Sequence, residues 1–104
     1  MRTIWKHLFD APADPIAGPL AIVVVPAGPT SRPIHAGVDP MGLIAVWVEH
    51  DVTDDATELV DSSRTLRVTL HGTGHPVPSP HPDVTHVASF THQGLVLHAY
   101  AVSI

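Results

Sequence analysis

Residues 71–82, His71-Gly72-Thr73-Gly74-His75-Pro76-Val77-Pro78-Ser79-Pro80-His81-Pro82, can form neither a helix nor a regular strand. Four prolines fix φ and remove backbone donors, and two glycines offer turn conformations closed to other residues. The stretch is a shaped corner, and regular structure must flank it. Before it, Arg64 to His71 alternates strictly. Leu66, Val68 and Leu70 fall on one face, and Thr65, Arg67, Thr69 and His71 on the other, which is the period of a half-buried strand. After it, Val84 to Thr91 and Leu95 to Ser103 read as a hairpin about His92-Gln93-Gly94, with Gly94 in the left-handed position. A three-residue loop sets Phe90 across from Val96, Ala88 from His98, and His86 from Tyr100. A two-residue loop shifts the pairing by one and turns His98 to the other face.

Upstream, prolines divide the chain into pieces too short for a buried helix. Thr3 to Phe9 suits a first strand with Trp5 and Phe9 towards the core, and Asp10 to Pro19 is a loop. Leu20 to Val25, Ile34 to Val38 and Met41 to His50 supply three more strands, with Asp39-Pro40 turning the chain between the last two. Asp51 to Ser63 is polar and acidic, with room for one helical turn over Asp54 to Val60. The result is an all-β chain of about seven strands in one domain, an antiparallel β-sandwich or jelly-roll-like fold. Leu20 to Val25 and Leu43 to Val48 are apolar on both strand faces, which predicts a homo-oligomer covering one outer sheet face.

Charge narrows the partners. Ten acids against five bases give a net charge of −5, so no nucleic-acid partner is expected. No apolar run approaches the length of a membrane span, and Met1-Arg2-Thr3-Ile4-Trp5-Lys6 lacks the apolar core of a secretion signal. With no cysteine, thiolate metal ligands are excluded and an intracellular location is expected. Histidine is the anomaly: nine residues, whose full protonation moves the charge from −5 to +4.

Several short motifs carry a resemblance. Thr3-Ile4-Trp5-Lys6, the central Gly72-Thr73-Gly74-His75-Pro76, His86-Val87-Ala88-Ser89-Phe90 and Leu95-Val96-Leu97-His98 are similar to a family of small phage-encoded proteins of unknown function. The likeness runs over the whole chain, though Asp10 to Asp39 is idiosyncratic and Leu97 stands where a tryptophan is expected. It implies a phage setting, and hence the cytoplasm of an infected bacterial host, but brings no activity.

Six histidines, His71, His75, His81, His86, His92 and His98, fall in the last third and raise the question of zinc. His71-x-x-x-His75 shares a face only on a helix, which Gly72, Gly74 and Pro76 deny, so no metal set is assigned. Glu49, Asp51, Asp54 and Asp55 match no calcium loop. Ser79, His75 and Asp83 are close in sequence, but no glycine elbow precedes Ser79, so no catalytic residues and no cofactor are assigned. The expected function is a non-catalytic binding protein that counters host defence or modulates a host protein. Its ligand-binding residues are Arg67, His71, Gly72, Gly74 and His75, with His86 and His98 behind them. A sponge for a nucleotide or another small anion, held by backbone N–H groups of the Gly-Thr-Gly turn, is one alternative. A His-rich zinc-binding or virion decoration protein is another.

Overall fold

The computed structural model describes residues 1–11 and 18–104, so part of the loop expected over Asp10 to Pro19 lies outside the described residues. Seven strands form: β1 (Arg2–Leu8), β2 (Ala21–Ala27), β3 (Arg32–Val38), β4 (Ile44–Asp51), β5 (Arg64–Gly72), β6 (Val84–His92) and β7 (Leu95–Ser103). They make two antiparallel sheets, a three-stranded one in the order β1-β4-β3 and a four-stranded one in the order β2-β5-β7-β6. The all-β fold expected from the alternating pattern is the fold observed. Among the described residues no helix is long and apolar enough to cross a membrane.

The core between the sheets is built from small aliphatic side chains. Val23 and Val25 of β2, Val46 and Val48 of β4, Leu66, Val68 and Leu70 of β5, and Leu97, Ala99 and Ala101 of β7 are all buried, with Phe9 and Phe90 packed against them. Leu66, Val68 and Leu70 are the inward set that the alternation along β5 predicts. Two strands run further than their sequence suggests, because β2 continues through Pro26 and β3 through Pro33. Both are edge strands, where a missing N–H need not break a ladder.

Two connections are fixed by side chains. Asp39, whose carboxylate is fully buried, accepts from the Met41 and Leu43 backbone N–H groups at 2.9 and 2.8 Å and from Lys6 Nζ at 2.8 Å. The Lys6 bond first, then the Leu43 N–H, hold its carboxyl below the usual aspartate range. Arg64 ties the β2–β3 connection to β5 and β7 of the four-stranded sheet. Its Nη1 donates to the carbonyls of Gly28, Pro29 and Ser31, and its Nε to Ser103 Oγ at 3.1 Å. Gly28 is required here, since a Cβ would stand 2.5 Å from the Asp61 carbonyl oxygen.

The 54–60 segment is not the helical turn its composition allowed. Asp55 Oδ1 instead gathers the Thr53 and Thr57 hydroxyls at 2.6 and 2.8 Å, and Ala56 takes a positive φ of 58°. The side-chain-to-backbone option has displaced the helical one.

Removing the Asp39 carboxylate leaves three donors without their buried acceptor. Asp39→Ala is expected to lower the thermal midpoint by roughly 10 °C, and Lys6→Ala, which leaves both turn bonds, by clearly less. Circular dichroism melts of the two variants check the order.

Candidate functional site

The four-stranded sheet presents its outer face as three transverse rows. Val24, Arg67, Val102 and Val84 form the first, Ile22, Thr69, Tyr100 and His86 the second, and His71, His98 and Ser89 the third. The register that buries Leu66, Val68 and Leu70 therefore delivers Arg67, Thr69 and His71 to this surface. No strand position in these rows carries a carboxylate, although the chain as a whole has a net charge of −5; Asp10, bridged to Ile22, stands at the β2 end of the second row.

His86 reaches the face by a backbone irregularity. The β6–β7 turn holds two residues, Gln93 and Gly94, at φ of 50° and 78°, and His92 pairs with Leu95. The three-residue loop expected from the sequence is thus replaced, yet His98 is not turned to the other face, because its side is set by the pairing of β7 with β5. Phe90 pairs with Leu97, and Ser89 rather than Ala88 lies opposite His98. A β-bulge at Val87 then shifts the register, so that His86 does oppose Tyr100. Without the bulge, Val87 would face Tyr100 and His86 would turn towards the core.

Side chains of the second and third rows are linked. Tyr100 lies between two imidazoles, 5.2 Å from the His86 ring centroid and 5.9 Å, edge-on, from that of His71. His98 meets Ser89 Oγ through Nδ1 at 2.7 Å and Thr73 Oγ1 through Nε2 at 2.8 Å. Ser89 Oγ also meets His86 Nε2 at 2.9 Å, and Thr73 Oγ1 lies 3.4 Å from the Val96 carbonyl oxygen. With neutral rings these contacts satisfy one direction of donation throughout. His86 Nε2–H donates to Ser89, and the Ser89 hydroxyl to His98 Nδ1. His98 Nε2–H then donates to Thr73, whose hydroxyl is left for Val96.

The 71–82 corner closes over one end of this face. Gly72 and His75 bound a β-turn in which the His75 N–H donates to the Gly72 carbonyl at 3.1 Å and Gly74 takes a φ of 86°. The His75 ring lies against Gly72, 3.1 Å from where a Cβ would stand. His71 is only 7% exposed. Its Nε2 meets Thr69 Oγ1 at 2.8 Å, and burial lowers its pKa, partly offset by a hydrogen bond to the Pro76 carbonyl.

Of the sequence-predicted site residues, Arg67, His71, His86 and His98 share the sheet face, and Gly72, Gly74 and His75 form its covered end. Thr73, Ser89 and Tyr100 join them without having been singled out. Tyr100 was readable as the partner of His86, whereas Ser89 depends on the hairpin register. The other histidines lie elsewhere. His81 bonds the Asp83 N–H within its own loop, and His35 packs on Trp47 with ring centroids 5.5 Å apart. His7 and His50 sit inside the three-stranded sheet's inner face. Among the described residues no three His, Asp or Glu side chains are grouped so as to hold a metal ion. The Ser89–His98 pair has a hydroxyl, Thr73, rather than a carboxylate on the far imidazole nitrogen. Hydrogen bonding and stacking on a planar group are what the face can do.

His50 has no exposed surface. Its Nδ1 meets Ser31 Oγ at 2.7 Å and its Nε2 lies 3.5 Å from His7 Nε2. Burial first, then the charges of His7 and Arg2, lower its pKa, and burial lowers that of His7. All three shifted histidines thus titrate below 6.5 when folded, so the unfolded chain binds more protons just below that pH. Their stabilising contribution is complete above that value and is lost as the pH falls through the folded-state pKa values. The thermal midpoint is expected to drop between about pH 7 and 5. A His7→Phe variant should show a shallower drop. Scanning calorimetry across that range checks both, and a midpoint independent of pH contradicts them.

One family model matches the chain, over residues 1–103, and its description is a domain of unknown function, DUF7352. No curated protein and no solved structure matches.

Proposed function

The chain belongs to the DUF7352 family, a domain of unknown function, and we propose that it works there as a non-catalytic binding protein whose contact surface is the outer face of the β2-β5-β7-β6 sheet. The observation that carries this reading is the linked Tyr100–His86–Ser89–His98–Thr73 array, around which no strand position of β5, β6 or β7 on that face carries a carboxylate. Side chains already held by one another lose little freedom when a partner docks, which favours affinity at small cost. Tyrosine and arginine, here Tyr100 and Arg67, are among the residues that dominate protein interfaces. Arg67 and the hydrogen-bonding imidazoles suit an acidic partner surface.

The resemblance of the Gly72-Thr73-Gly74-His75-Pro76 corner and its neighbouring motifs to small phage-encoded proteins supplies the setting: an accessory protein that engages a host protein during infection. The nucleotide-sponge alternative places its ligand on the backbone of the Gly-Thr-Gly turn, where the His75 N–H is already committed to the Gly72 carbonyl. That favours the protein partner. We also propose that the chain self-associates through the β2 side of this sheet, where Val24 is 58% exposed on the edge strand, in one row with Arg67 and Val102.

Affinity capture from host extract, compared between wild type, His86→Glu and Met41→Glu in the β3–β4 turn, where Met41 is 81% exposed, tests the surface. A partner held by wild type and Met41→Glu but lost with His86→Glu is the expected result. A partner held equally by all three rejects the reading. Light scattering should give a mass above the 11.1 kDa of one chain, reduced by Val24→Asp. A single-chain mass at all concentrations rejects self-association.

A further inference from the structure

At the opposite side of the sandwich from β1 and β2, the edge strands β3 and β6 come together, one from each sheet. Beside them lies a cavity of about 530 Å³, within the size range of small-ligand sites. Its wall includes Arg64 and Arg32, two of the five cationic side chains of the protein.

Arg64 is the informative group. Its Nε and Nη1 are occupied by a serine hydroxyl and three carbonyls, all neutral, and its Nη2 makes no hydrogen bond to the described residues. Among the described residues no carboxylate pairs with it, although it is half-buried. A guanidinium partly withdrawn from water, fixed by four neutral acceptors and facing a cavity, leaves its charge to be balanced from outside the chain. Arg32 adds to the excess, because its only carboxylate among the described residues, Glu49, is shared with Arg2 at 2.7 Å. Pro29, Pro33 and Pro82 give the cavity apolar walls, and Asp83 and Thr85 stand on its β6 side.

We propose that this cavity binds a small organic anion. Its carboxylate or phosphate pairs with Arg64 and Arg32, a flat apolar body lies between the prolines, and a hydroxyl or amino group donates to Asp83. The site is separate from the sheet face, on which Arg67 and not Arg64 is the cation, so neither reading depends on the other.

Amide NMR titration of the full chain with inorganic phosphate, with a benzoate-type carboxylate and with a ribonucleoside 5′-monophosphate tests it, the unphosphorylated nucleoside serving as control. Saturable shifts confined to residues 29–33, 64–66, 82–85 and 101–103 are expected with at least one organic anion. The nucleoside should give none, and the difference between the carboxylate and monophosphate arms identifies the anionic group. Arg32→Gln is expected to weaken binding about tenfold, and Arg67→Gln to leave it unchanged. Arg64→Lys is expected to abolish it if far-UV circular dichroism shows the fold retained. Should that variant unfold, Arg32→Gln and Thr85→Val decide instead. No saturable shift up to roughly 10 mM of every anion, or shifts that Arg67→Gln removes and Arg32→Gln does not, overturns the proposal.

Discussion

The antiparallel pairing of β5 with β7 is the constraint on which both faces of the molecule depend. β5 and β7 are the two central strands of the larger sheet, so their register is fixed from both sides. It places Leu66, Val68 and Leu70 opposite Ser103, Ala101 and Ala99 on the inner face, and Thr69 and His71 opposite Tyr100 and His98 on the outer one. A slip of one residue would expose the leucines and bury a histidine row, so the buried apolar area that stabilises the sheet also holds the polar array in position. The surface chemistry is thus specified by the core rather than by local contacts.

Electrostatic character is segregated across the same fold. The acids concentrate in β4 and the segment after it, where they are satisfied at close range: Glu49 by Arg2 and Arg32, Asp51 by the N-terminus, and Asp55 by threonine hydroxyls. The larger sheet's outer rows carry none. An acidic protein consequently presents one face whose nearest flanking carboxylate, Asp10, stands at the β2 margin, away from the histidine rows of β6 and β7. Interior polar groups follow the same economy, since no buried side-chain nitrogen or oxygen lacks a hydrogen-bond partner among the described residues.

How much of this was legible in the sequence differs from element to element. Alternation along Arg64 to His71 was enough to assign β5 and to put Arg67 and His71 outside, because a half-buried strand has a strict period. Strand ends were misjudged at Pro26 and Pro33, since proline is prohibited in a central strand but tolerated at an edge, and edge position is a property of the whole sheet. The hairpin was harder. Gln93 in a left-handed conformation has no strong local signature, so the sequence favours the longer loop, and a bulge at Val87 leaves no composition signal at all. His86 opposite Tyr100 was obtained from a wrong loop length, because the bulge restores by one residue what the shorter turn removes. The enclosure of His50 by Ser31, His7 and Trp5 was not readable, as it needs contacts between residues 19 to 45 positions apart. The Arg64 cavity was missed for the same reason.

The Val87 bulge divides the hairpin into a tip and a base that are out of step by one residue. The base keeps its pairing, and the tip absorbs the difference. A relative that lengthens the turn by one residue and lacks the bulge would keep the His86–Tyr100 pairing intact while exchanging the partners of His98. Length variation in this hairpin is then not neutral padding. It is a means of altering one row of the surface while the other is inherited unchanged.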